Sequence, residues 1–136
     1  MDACFDHEKL DVYRLELDFI GWVTLLLDEA QETASSKTRE IRDHLDRASL
    51  SALLNTAEGN GKRQRPVRAK FFDDARGSAT ECAACLDALV AKKSCPPLRV
   101  AEGKASLLRI VQMLSKLVQM YSDDRLLREE RVEYHA

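Results

Sequence analysis

Arg47-Ala-Ser-Leu-Ser-Ala-Leu-Leu-Asn-Thr-Ala-Glu-Gly-Asn-Gly-Lys-Arg-Gln-Arg-Pro66 is the stretch that decides the fold of this 136-residue chain. Its first half repeats apolar residues at helical spacing; two glycines then break the helix, and a proline follows where the first turn of another can begin. The same stretch turns basic, because Lys62, Arg63, Arg65, Arg68 and Lys70 lie between Gly59 and Phe72 with no acid among them. The whole chain has a formal charge of −2, so the remainder carries about −7. Such segregation of sign creates a local field that attracts polyanions.

Outward from this stretch the chain reads as four helices. Leu10, Tyr13, Leu17, Ile20, Thr24 and Leu27 recur at alternating three- and four-residue steps, the spacing of a bundle seam. Val12, Leu15, Phe19, Trp22, Val23 and Leu26 form a second stripe beside it. So wide an apolar arc suits a helix central in its own bundle, or one that also touches another subunit. Ser35, Ser36 and Thr38 offer capping oxygens for a second helix, whose apolar positions are Ile41, Leu45, Ala48, Leu50, Leu53, Leu54 and Ala57. Gly59 and Gly61 suit the left-handed turn that ends it. The third helix carries Phe71, Ala75, Ser78, Cys82, Cys85 and Leu89 and is closed by Cys95-Pro96-Pro97. The fourth carries Val100, Leu107, Ile110, Val111, Leu114, Leu117, Val118 and Tyr121. The expected helices cover about 9–32, 38–58, 66–93 and 98–124, with 128–136 a loose tail. Short connections force neighbours antiparallel, so the fold class is all-α: one domain, 1–136, folded as an antiparallel up-down-up-down four-helix bundle.

Composition agrees with that reading. At 45% hydrophobic the chain has material for a core, and its five glycines and three prolines are too few for a hairpin-rich fold. No run approaches the roughly 18 apolar residues of a membrane span, and the opening Met1-Asp-Ala-Cys-Phe-Asp-His-Glu8 is too acidic for a signal peptide. A soluble cytoplasmic protein is expected, with Cys4, Cys82, Cys85 and Cys95 as reduced thiols.

Candidate chemistry is sparse. Cys82 and Cys85 have metal-like spacing, but both fall on the core seam of the third helix and no second pair recurs, so they read as core residues. His7, His44 and His135 are isolated from any nucleophile pattern. Gly59-Asn-Gly-Lys62 lacks the preceding strand and the Lys-Ser/Thr ending of a phosphate loop. Asn55 and Glu58 are set into the apolar stripe and need partners, for which Arg76, Ser78 and Glu81 are available. Glu58 and Glu81 together could do acid/base work, yet no cleft-forming loop or nucleophile accompanies them, and a register-fixing hydrogen-bond network is the preferred role. No catalytic residue, metal or cofactor is expected.

Two motifs carry a resemblance. Arg47-Ala48-x-x-Ser51-x-x-x-Asn55-x-Ala57-Glu58-Gly59, followed by Ala75-Arg76-Gly77-Ser78-x-x-Glu81, resembles the paired signatures of the four-helix-bundle family encoded in bacterial 23S rRNA intervening sequences. The opening Leu10-Asp11-Val12-Tyr13 looks like that family's start, and the resemblance runs from about Phe5 to Tyr121. One departure is Leu53-Leu54, where the family often has proline next to alanine; here the second helix should be straighter. Arg47, Ser51, Asn55, Glu58, Arg76, Ser78 and Glu81 are read together as the structural polar network, and the resemblance implies that the bundle assembles into a ring-like homopentamer. A related branch, the accessory variability determinants of diversity-generating retroelements, partners a reverse transcriptase and binds nucleic acid through a basic surface.

Two functions are therefore expected as alternatives. One is a non-enzymatic oligomeric accessory protein that binds RNA or DNA through Lys62, Arg63, Arg65, Arg68 and Lys70 in the connector between the second and third helices. The other is a protein-interaction scaffold, partnering for example a reverse transcriptase or a ribosome-associated factor, with the basic run merely solvated.

Overall fold

Helix-favouring sequence and terminal signals divide the chain as its periodicity predicts. The structure, a computed structural model, describes residues 3–33 and 36–122, with side chains from 3 to 29 and from 37 to 122. A 3-10 turn at Asp6–Lys9 leads into α1 (Asp11–Thr33); a second, Ser36–Thr38, leads into α2 (Arg39–Asn60); α3 (Arg65–Ala91) and α4 (Pro97–Tyr121) follow. Pro66 and Pro97 lie in the first turns of α3 and α4, where a missing N–H costs nothing. The expected end of the fourth helix at 124 and the tail at 128–136 lie outside the described residues.

Cross-helix contacts fix the topology. His44 meets Glu81 and Ser51 meets Ser78, so α2 and α3 run antiparallel. Arg76 reaches Ser115 while Lys104 reaches Asp87, which sets α3 against α4 in the same sense. Trp22 lies against Gly103 and Glu29 against Arg99, so α4 also closes antiparallel on α1, and Glu16 joins Thr56 across α1 and α2. The all-α up-down-up-down bundle is thus observed, with α2, α3 and α4 packed more closely than α1 is on either neighbour.

The core differs from the sequence reading in which stripe of α1 faces inward. Val12, Phe19, Val23 and Leu26 are buried, whereas Leu17 is 45% exposed and Thr24 is exposed. The second stripe, not the first, is the seam. Its arc is wide because α1 touches both α2 and α4. On α2 the inward positions are Leu45, Ala48, Ser49, Ala52, Leu53 and Thr56; Leu50 and Leu54 point outward at 50% and 55% exposure. Small and hydroxylated residues thus take inward places on α2; Thr56 among them meets Glu16 of α1. On α3, Phe72, Ala75, Ala79, Cys82, Leu86 and Leu89 are buried, while Phe71, Ser78 and Cys85 stand on the rim.

Glycine also acts differently from expectation. No glycine has a positive φ; Gly59 lies inside α2, and Gly61 ends it with φ −87°. A Cβ on Gly59 would come within 2.7 Å of the Phe71 Cβ, so this glycine lets the two helices approach. The left-handed position belongs instead to Lys93 (φ 61°), just past α3, where Ser94 N–H donates to Leu89 O at 2.9 Å and closes the helix end. Thr38 precedes α2 but makes no side-chain capping bond there.

Candidate nucleic-acid interface

The five predicted cations all lie at one end of the bundle, but the element carrying them is mostly helix. Only residues 61–64 separate α2 from α3, so Arg65, Arg68 and Lys70 project from the first turns of α3. The basic connector expected between the second and third helices is therefore a short turn continued by the first turns of α3.

Each cation has its own surroundings. Arg68 is tied down most tightly: its Nη1 donates to Lys62 O at 3.2 Å, its Nη2 donates to Asn60 Oδ1 at 2.9 Å, and its guanidinium lies 4.3 Å from the Tyr121 ring centroid. Its buried Nε has no hydrogen-bond partner among the described residues. Arg65 donates to the Met120 carbonyl at the end of α4 and lies 5.1 Å from the same ring, a position that also complements the negative helix terminus. Lys62 pairs loosely with Glu58 at 3.9 Å and sits 5.1 Å above the Phe71 ring. Lys70 pairs with Asp74 at 3.4 Å. Arg63 is exposed and forms no ion pair or side-chain hydrogen bond with any described residue. Exposed pairs such as Lys62–Glu58 and Lys70–Asp74 exchange readily for a phosphate contact, because each is worth only about 0–1 kcal/mol. Arg68, by contrast, acts as a strut joining the turn to α4.

The predicted polar network is smaller than the motif that suggested it. Ser51 and Ser78 share a hydrogen bond of 3.0 Å, and Asn55 Nδ2 donates to the Ser51 carbonyl and hydroxyl at 3.0 and 3.1 Å. The other four members lie outside it. Arg47 and Glu58 are exposed, Arg76 bonds Asp73 and Ser115, and Glu81 pairs with the His44 imidazole at 2.9 Å. Glu58 and Glu81 cannot share chemistry: Glu81 touches His44, and Glu58 lies fourteen residues along α2 from it, roughly 21 Å of helix rise. The His44–Glu81 pair borders a cavity of ≈ 390 Å³ with Glu40, Cys85 and Lys92, near the opposite end of the bundle. Among the described residues no group of three His, Cys, Asp or Glu side chains could hold a metal ion. Burial pushes the Cys82 thiol up to about 12, as suits a core residue, and also raises Cys85.

Sequence reasoning missed a buried acid. Glu16 is 2% exposed; its Oε2 accepts a 2.8 Å bond from the Thr56 hydroxyl, and its Oε1 is buried with no hydrogen-bond partner among the described residues. Desolvation raises its pKa to about 8, with the Thr56 bond opposing, so it is held protonated at neutral pH. The available signal was its place between Val12 and Phe19 on the inward stripe. The parts Asn60 and Tyr121 play at this end were missed as well, since Asp6 meets Asn60 and Arg65 and Arg68 meet Tyr121 only in the packed bundle.

Among the described residues, no helix is long and apolar enough to cross a membrane. A family model described as 23S rRNA-intervening sequence protein matches residues 8–116. No curated protein matches the chain.

Proposed function

The chain belongs to the 23S rRNA-intervening sequence protein family, and on that premise we propose that it is a non-enzymatic, oligomeric accessory protein that binds RNA or DNA. The carrying observation is the cationic end, where Lys62, Arg63 and Arg65 lie within four residues on a platform braced by Arg68 and Tyr121. A cluster of like charge suits phosphate contacts that position a nucleic acid without reading its sequence. Assembly as a ring-like homopentamer would repeat the weak site and raise avidity; outward leucines 17, 50 and 54 are candidate contacts.

The test is a low-salt shift assay on the variant carrying Lys62→Gln, Arg63→Gln and Arg65→Gln, with Arg68 kept because it braces the fold. Binding should weaken, and the dependence of log affinity on log salt should flatten by about 2. Unchanged retention with intact helicity overturns the reading. Light scattering on the same sample should give five chains; a monomer removes the avidity argument.

The second reading is a scaffold for a protein partner, for example a reverse transcriptase, recruited by those leucines or by Leu108 beside the apolar groove of Ala83, Ala105 and Val111. Protein partners recovered from lysate after nuclease treatment support it. Their loss with nuclease opposes it.

A further inference from the structure

The cationic end carries a second feature that the basic run does not explain. The 3-10 turn at Asp6–Lys9 is fastened beside it, since Asn60 Nδ2 donates to Asp6 Oδ2 at 2.8 Å while the same amide accepts from Arg68. Arg68 in turn donates to the carbonyl of Lys62. Three hydrogen bonds in series, through Asn60 and Arg68, therefore join the segment Phe5-Asp6-His7 to the turn that bears Lys62 and Arg63.

That segment presents an aromatic ladder. The Phe5 and His7 rings stack with centroids 5.6 Å apart and planes 17° from parallel, and His7 meets Tyr13 edge-on at 4.6 Å. His7 and Tyr13 are half-buried, whereas Phe5 is 74% exposed. The ladder is thus anchored on α1 and ends in an open ring face. The acids beside it are already engaged: Asp6 with Asn60 and Lys9, Glu8 with the Phe5 backbone N–H, and Asp11 with Arg14. The charges of Lys9 and Arg14 beside Asp6 and Asp11 offset part of the repulsion an incoming phosphate meets there.

We propose that Phe5, carried on His7 and Tyr13, is a stacking platform for an unpaired nucleobase whose flanking phosphates lie on Lys62 and Arg63, so that the ligand of this end is single-stranded nucleic acid. The inference rests on the nucleic-acid reading above and narrows it. Every base offers a π-face when unpaired, and stacking on an aromatic side chain beside a cationic track is sequence-tolerant. A duplex offers its phosphates but keeps its base faces covered, so it can use the cations without the ladder. RNA and DNA single strands share this chemistry.

Fluorescence anisotropy with labelled oligo(U) and oligo(dT) of about 12 nucleotides, and with a hairpin duplex of similar charge, separates the cases. Phe5→Ala and Phe5→Leu should weaken both single strands about 5- to 100-fold, Phe5→Trp should preserve binding, and the duplex should be indifferent to all three. A stronger effect on one strand type identifies the preferred sugar. Phe5 is exposed and outside the core, and circular dichroism of each variant verifies that the bundle is intact. If Phe5→Ala leaves single-strand affinity within about twofold while the Lys62/Arg63/Arg65 variant loses it, the platform is wrong and the phosphate reading stands. Phe5→Leu behaving as the parent also overturns stacking. A parent protein that binds none of the three probes at low salt overturns both.

Discussion

Replacing Glu16 by glutamine should make the protein more stable at alkaline pH and leave it nearly unchanged at acidic pH. Burial between α1 and α2 raises the folded-state pKa of Glu16 from 4.5 to about 8. Below pH 4.5 folded and unfolded chains both hold the proton and the group contributes no pH dependence. Between 4.5 and 8 the unfolded chain releases it while the folded chain keeps it, so stability falls as pH rises, by about 1.4 kcal/mol per unit. Over the whole window the loss is about 5 kcal/mol; from about pH 5.5 to about pH 8.5 it is about 3 kcal/mol. Glutamine matches the protonated acid in shape, can accept the Thr56 bond through its oxygen, and does not titrate. Urea denaturation of parent and Glu16→Gln at those two pH values, at equal protein concentration, gives the difference directly, because other titrating groups cancel. The stability gap should widen by about 3 kcal/mol in favour of the variant at the higher pH. Parallel pH profiles would refute the reasoning, since they would mean that Glu16 ionises in the folded protein as easily as in the unfolded one.

Glycine-to-alanine changes should act with opposite signs at two helical sites. At Gly103 a Cβ would fall 2.3 Å from the rigid Trp22 ring, so Gly103→Ala should lower stability by about 1–3 kcal/mol; at Gly77 no atom lies within 4 Å, and Gly77→Ala should raise it by about 0.5–1 kcal/mol, both measured by thermal melting. Arg68→Ala should cost about 1–3 kcal/mol by leaving the Asn60 side-chain oxygen and the Lys62 carbonyl without their donor, whereas Arg63→Ala should leave the melting temperature unmoved and weaken nucleic-acid binding. In thiol labelling of the native protein at mildly alkaline pH, exposed Cys4 should react at once and Cys82, buried and with its thiol pushed up to about 12, only after denaturation.

Periodicity alone placed four helices within a few residues of where they lie, because burying one face of a helix requires apolar residues every three or four positions. Prolines 66 and 97 and the short connections then left an antiparallel bundle as the simplest closure. The paired motifs at Arg47–Gly59 and Ala75–Glu81 marked the α2–α3 contact, and their Ser51, Asn55 and Ser78 do meet there. Which of two adjacent stripes on α1 faces inward was not legible. Both have helical spacing, and the choice depends on α2 and α4 flanking the helix.

The cationic end shows where sequence stops and tertiary structure begins. Composition determined that five basic residues gather between Gly59 and Phe72 without an acid. Only the fold decided that Arg68 is a brace, that Arg65 caps α4, and that Phe5 and His7 stand beside the turn. Charge is a property of each residue and survives in a linear string. Availability depends on partners such as Asn60 and Tyr121, which are brought within hydrogen-bonding or stacking distance only when the four helices pack.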